Sequence, residues 1–366
     1  MKCTLLKLLL GLSLISWTAL ADTLNVVFIN PGHQSDNATG TFWSKVSLFM
    51  EAASEDLDIN LTTFYADRNH IFMAQLTKEV KKQDPDFVIL VNEKGKAVQM
   101  VKELAPLNVP IFMLLNTFDE NEINAFSEAE KANIIGSLIP NNRAVGEKLA
   151  DSLITTHLRK TAKPRLYMLA FKGDYATAAS NERHQGLMDS LSKHKNIELV
   201  DVVVANWSEP QAYAKTSGLL KRVPIDIIWA ANDPMAYGAK RATIEAKINY
   251  PITIGGINGD LHTSLFPLDV SYGGHMALGA YALVMLRDYQ DKLLSDGQMH
   301  QNINVFSKLS KQEIIALNEA FSHGELSGYD FARFSLGHVN PVEFSFDKLP
   351  LVYSQPKLKV QVSPCP

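Results

Sequence analysis

From Leu24 onward, short continuous hydrophobic runs alternate with amphipathic stretches of helical period. "LNVVFIN" leads into the helical "TFWSKVSLFMEAASED", and "INLTTFY", "DFVILVN" and "VPIFMLLN" follow with helical patterns between them. A second series begins near Asn133 with "NIIGSLI" and runs through "PRLYMLA", "IELVDVVV", "IDIIWAA" and "YPITIGGI". Strands that are apolar at nearly every position have both faces covered, which points to parallel sheets flanked by helices. About ten such strands overfill one open sheet and divide well into two. The polar stretch 116–132, "NTFDENEINAFSEAEKA", holds no credible strand and marks the expected seam. The pattern therefore predicts an α/β fold of two doubly wound parallel-sheet lobes joined by crossover strands, with a cleft between them. The first lobe is expected to span 22–117 plus about 274–303. The second takes 118–273 plus about 304–350, and 351–366 forms a tail whose role the pattern does not reveal.

The leading residues belong to neither lobe. Lys2 and Lys7 precede the apolar run "LLLGLSLISWTALA", which ends in Ala19-Leu20-Ala21 and is too short to span a bilayer comfortably. Residues 1–21 read as a cleaved secretory signal. Cleavage removes two lysines and no acid, so the net charge of −4 falls to −6. A chain without a basic surplus is not expected to bind nucleic acid. The only cysteines are Cys3 and Cys365, so the exported chain cannot form an internal disulfide. Two sizeable cores do not need one, and export without staples favours a bacterial periplasm.

In parallel α/β sheets, ligands sit beyond the carboxyl ends of the strands. Phe42 and Trp43 follow the first strand, Arg68 the second, Glu93 the third and Asn116 the fourth. In the second lobe Arg183, Trp207, Asn232, Asn258 and His275 follow successive strands. Each has a purely structural alternative. The aromatics can start amphipathic helices, the charges can be solvated, the amides can form turns, and His275 can simply open a helix. Together they place aromatic, amide and charged groups at one shared edge. In "IIWAANDPMAYGA", Asp233 is expected to cap the helix and Pro234 to open it, which leaves Asn232 with no structural task. No Gly-x-Ser-x-Gly elbow, His-Glu-x-x-His or phosphate loop occurs, so binding is expected rather than catalysis, with no metal or cofactor.

Several segments resemble the type I periplasmic binding proteins of the ribose- and galactose-binder group. "DIIWAANDPMAYGA" is similar to that group's strand, Asn-Asp and helix start, "SNERHQGLMDSL" to its Arg-x-x-Gly helix, and "IGSLIPNNRAVGEKLADSL" to its crossover. "TIGGING" resembles the late strand that usually reads Val-Gly-Phe-Asp-Gly. The resemblance runs from about Leu24 to Leu294. It implies stacking aromatics at Phe42, Trp43 and Trp207, a ligand-binding arginine at Arg183 and a ligand-binding amide at Asn232. It also implies a small polar, sugar-like ligand captured by lobe closure and passed to an inner-membrane ABC permease. The alternative partner is a membrane sensor (kinase, cyclase or chemoreceptor), with autoinducer-type ligands included. A monomer is expected. Departures lie at Asn116-Thr117, where sugar binders often carry Asp-Arg, at Asn258 in place of Asp, and at His275 where Gln is common. The lactose-repressor family shares this core behind an N-terminal DNA-binding module; the leading signal pattern and the acidic charge argue against that role.

Overall fold

The computed structural model describes residues 23–352 other than 263, 266 and 324. The expected signal segment 1–21, the end of the tail and both cysteines lie outside the described residues. The first sheet is built from β1 (Leu24–Asn30), β2 (Ile59–Tyr65), β3 (Phe87–Leu90), β4 (Ile111–Leu114) and β5 (Ile134–Pro140). The second contains β6 (Leu166–Lys172), β7 (Ile197–Val204), β8 (Ile227–Ala230), β9 (Thr253–Asn258) and β10 (Val270–Gly273). Two late strands, β11 (His300–Ile303) and β12 (Ser307–Leu309), complete one sheet each.

The strand orders are β11-β5-β4-β3-β1-β2 and β12-β10-β9-β8-β6-β7. Every pairing is parallel except β10 with β12. The central strands β3, β4 and β8 are buried at every residue, as their uninterrupted apolar sequences require. Two doubly wound α/β lobes are thus present.

The seam is displaced from its expected place. β5 pairs with β4, so the first sheet continues through Pro140 and the crossing follows it, not residues 116–132. That polar stretch instead holds two short helices, Glu120–Asn124 and Glu128–Asn133, each opened by a capping box (Asp119 with Glu122, Ser127 with Glu130). A solvated helix pair and a linker have the same polarity, which is why hydropathy alone misplaced the boundary. The chain crosses again between β10 and helix Leu278–Gln290, which packs on helix Phe42–Asp56, and once more between β11 and β12.

The stretch assigned to the second lobe after β12 also departs from expectation. Phe331 and Phe334 pack against the outer helices of the first lobe. Phe331 lies 6.1 Å from Phe49, Phe344 stacks on Tyr281 at 4.2 Å, and Asp288 accepts from Leu336 N at 2.9 Å. The aromatic residues of this stretch bury themselves on an existing surface, which no strand or helix period announces.

The lobes are closed on each other. Glu209 N donates to Ala38 O at 3.0 Å across the gap. Lys45 Nζ, on the first-lobe helix, lies 2.8 Å from Asp260 Oδ1 and 2.8 Å from Asn318 Oδ1 on helix Lys311–His323. Both charged side chains are nearly sealed from solvent, at 5% and 9% exposure.

Candidate functional site

Strand order reverses between β1 and β3 and again between β6 and β8, so the connecting loops diverge there and leave a crevice at each sheet's carboxyl edge. The closed lobes bring these two crevices face to face. Between them lies about 590 Å³ of space, part of it open to solvent. All ten residues singled out in the sequence line this one cavity: Phe42, Trp43, Arg68, Glu93 and Asn116 from the first lobe, Arg183, Trp207, Asn232, Asn258 and His275 from the second.

The aromatic walls are held from behind. Asn30 donates to Trp43 O and to Ser47 Oγ, both at 2.9 Å, and so fixes the start of helix Phe42–Asp56. Trp207 donates from Nε1 to Asp174 Oδ2 at 2.8 Å, and its ring lies where a Cβ on Gly173 would fall 2.1 Å away. Only glycine lets that ring approach the strand end. Burial alone raises the Asp174 carboxyl, but hydrogen bonds from Thr177, Trp207 and Ala176 outweigh it and hold the group below the usual carboxylate range. Trp207 and Arg68 both adopt left-handed backbone, with φ of 61° and 60°. Such geometry costs about 1–2 kcal/mol per residue, and both residues line the cavity.

Two arginines face the cavity in different company. Arg68 pairs with Glu93 at 3.0 Å. Arg183 donates from Nε to Asn142 Oδ1 at 2.9 Å and from Nη1 to Ala231 O at 2.7 Å, and its Nη2 lies 3.3 Å from His275 Nε2. Burial lowers the Arg183 guanidinium to about 10, which still leaves it charged at neutral pH. His275 is sandwiched between Phe42 at 4.5 Å and Phe306 at 4.6 Å. Burial, helped by the Arg183 charge, pushes His275 well below its ordinary value, so it is neutral and accepts from Arg183 through Nε2.

The amides do more structural work than the sequence suggests. Asn232, not Asp233, is the N-cap of helix Asp233–Glu245: its Oδ1 accepts from Met235 N at 3.1 Å. Its Nδ2 donates to Trp207 O at 3.0 Å, tying the cap to the aromatic wall. Asp233 is sealed one residue further in, accepting from Asp260 N at 2.8 Å and Ser271 Oγ at 2.6 Å. Two adjacent residues with equal capping propensity cannot be ordered by composition, and here the buried neighbours Asp260 and Ser271 claimed the carboxylate. Asn116 Oδ1 accepts from Ala179 N at 3.2 Å across the cleft, and Asn258 donates to Asp260 Oδ2 at 2.9 Å.

Thr39, Leu115, Pro140, Asn142, Thr177 and Ala179 also line the cavity and were not singled out. Asn142 follows β5, so the strand-end rule reaches it once β5 is assigned to the first sheet. Thr177 and Ala179 sit at the start of helix Ala178–Lys193, where the sequence drew attention only to Arg183.

Two doubly wound lobes closed over a cavity of aromatic, amide and charged side chains define a two-lobed binding protein. The chain belongs to the family described as "Periplasmic binding protein domain", whose pattern matches residues 34–263. It is similar to the fructose import binding protein FruE of Bifidobacterium longum, 24% identical over 279 residues that cover 74% of this chain and 81% of that protein. The D-allose-binding periplasmic protein of Escherichia coli is 22% identical over 219 residues, covering 60% of this chain and 69% of that one. The crystal structure of a periplasmic sugar-binding protein from Pseudomonas fluorescens superimposes with a TM-score of 0.77 at 26% identity, covering 89% of this chain and 99% of that chain. The family consists of binding proteins and not enzymes.

Proposed function

We propose that this protein is a periplasmic receptor that closes its lobes around one small sugar and presents it to the permease of an ABC importer. The observation that carries the reading is the convergence of ten strand-end residues from both lobes on a single cavity. Aromatic faces at Trp43 and Trp207 suit the C–H faces of a sugar ring, and the amides and arginines suit its hydroxyls. A hydroxyl left unpaired in such a cavity costs about 1–3 kcal/mol, so each missing hydroxyl in an analogue is penalised. The related import and sugar-binding proteins support the same class of ligand and partner. Closure is the capture step, and the closed pair of lobes offers the permease a surface that the open form lacks.

A thermal-shift and calorimetric screen of monosaccharides tests the reading. A ligand at a hundredfold excess over Kd adds about 2.7 kcal/mol of stability, which raises Tm by several degrees in domains of this size. Trp207→Ala is expected to weaken binding by about 2 kcal/mol, roughly thirtyfold. Asn232→Ala is expected to weaken binding and also to lower stability by about 1 kcal/mol, because the cap is lost. Unchanged affinity in both variants removes these residues from the site.

A further inference from the structure

The cavity wall carries a charge that nothing in the wall balances. Its lining includes two arginines, Arg68 and Arg183, and one carboxylate residue, Glu93, while burial pushes the His275 imidazole toward its neutral form. Arg68 and Glu93 cancel each other at 3.0 Å. Arg183 is 4% exposed, and among the described residues its hydrogen-bond partners are an amide oxygen, a backbone carbonyl and an imidazole, with the Trp207 and Phe306 rings 5.8 Å and 5.6 Å from the guanidinium carbon. The hydrogen bonds use three of its five N–H groups. Glu182 and Asp233 feel its charge without contacting it. Glu182 is exposed to solvent, which screens its charge, and burial with Asp260 alongside raises the Asp233 carboxyl to about 7, so neither acid closes a contact with the guanidinium inside the wall.

Helices Asn142–Leu158, Ala178–Lys193 and Asp233–Glu245 all begin at this wall, and their amino ends add partial charge of the same sign. Burying a charge without a counter-charge costs several kcal/mol, and Arg183 itself is only 4% exposed. Among the described residues no carboxylate contacts Arg183 from inside the cavity wall.

We propose that the ligand supplies one: the preferred ligand is an acidic monosaccharide, a uronic or aldonic acid, whose carboxylate binds the remaining N–H groups of Arg183. The assignment rests on reading the cavity as a sugar site. One surplus positive charge matches a monoanion. A phosphate ester carries about −1.5 to −2 at neutral pH and would leave a surplus of the opposite sign.

The test is a matched series on the intact protein by calorimetry and thermal shift: galactose with galacturonate, galactonate and galactose 6-phosphate, and the glucose and mannose counterparts. In at least one series, a carboxylate member is expected to bind about tenfold or more tighter than both its neutral parent and its phosphate. That gap is expected to shrink when salt is raised, and to collapse in Arg183→Gln if circular dichroism shows that variant folded. The wild-type series decides the matter alone if it is not. A neutral parent that binds as tightly as its acid overturns the proposal and leaves the sugar-receptor reading standing, and so does a tighter phosphate. No binding by any member of any series overturns both.

Discussion

The lobes meet in two polar regions that handle charge in opposite ways. In the cavity, Arg183 is buried beside uncharged acceptors, with two N–H groups left over. Around Asp260, by contrast, the protein itself supplies the counter-charge: Lys45 pairs with this carboxylate at 2.8 Å. Lys45 reaches across the gap to Asp260 and Asn318, Asn318 donates back to Gly259 O at 3.0 Å, and Phe321 lies 5.2 Å beneath the ammonium. Tyr237 donates to Asp260 O at 3.0 Å and Asn258 to Asp260 Oδ2 at 2.9 Å. The difference separates two jobs that one interface must do. A completed cluster holds the lobes together without a ligand, whereas an incomplete one leaves closure something to gain from a ligand.

The sharpest way to break this comparison is to remove the bridging cation. Lys45→Met leaves Asp260 buried without its counter-charge, and breaking a buried pair from one side costs about 3–5 kcal/mol. The expected result is a lower urea midpoint together with a larger radius of gyration in solution scattering, because only the closed arrangement makes the contact. If both stay at the wild-type value, the cluster does not hold the lobes together. Asn318 extends the cluster into helix Lys311–His323, so this late segment helps to set closure.

A second prediction concerns pH. Burial, with Asp260 next to it, raises Asp233 from 3.8 to about 7 in the folded protein. The folded state then holds a proton that the unfolded state releases. The associated stability is full below pH 3.8 and is lost as pH rises through about 7. His157 and His275 act in the other sense: burial lowers both below 6.5, so their contribution is lost as pH falls through that range. Subtracting the profile of Asp233→Asn from that of the wild type cancels the histidines and isolates the carboxyl. The difference should favour the wild type increasingly from pH 7 down to pH 4. A flat difference means Asp233 is not held protonated.

The contrast also explains what was legible in the sequence. The ten cavity residues were found because a parallel sheet delivers every strand end to the same edge, and apolar runs such as "IIWAA" show where strands end. Their individual tasks were hidden, since tasks depend on neighbours far away in the chain. Asn232 and Asp233 exchange their expected roles because Ser271 and Asp260 close over the carboxylate. Lys45 gave no signal at all: within helix Phe42–Asp56 it reads as an ordinary surface lysine until the second lobe covers it. The closing stretch from Phe331 was equally silent, because it packs as separate aromatic contacts and carries no period.

The smallest expected effect comes from an ion pair with better geometry than the Lys45 contact. Arg143 grips Asp189 with two bonds, Nε to Oδ2 at 2.6 Å and Nη2 to Oδ1 at 3.0 Å, linking helices Asn142–Leu158 and Ala178–Lys193. Arg143 is 61% exposed, however, so water replaces most of what the pair gains, and salt screens the rest. The two helices are in any case pressed together at Gly146 and Gly186, where a Cβ would fall 2.0 Å and 1.9 Å from the opposing backbone oxygens. That glycine crossing sets where Arg183 emerges at the cavity, with or without the surface pair. Arg143→Ala should therefore leave ligand affinity unchanged and shift Tm only slightly, with the shift disappearing in 1 M salt where the screening length is about 3 Å. A loss comparable to that of Lys45→Met would mean that pairing geometry, and not burial, decides which charges hold this molecule together.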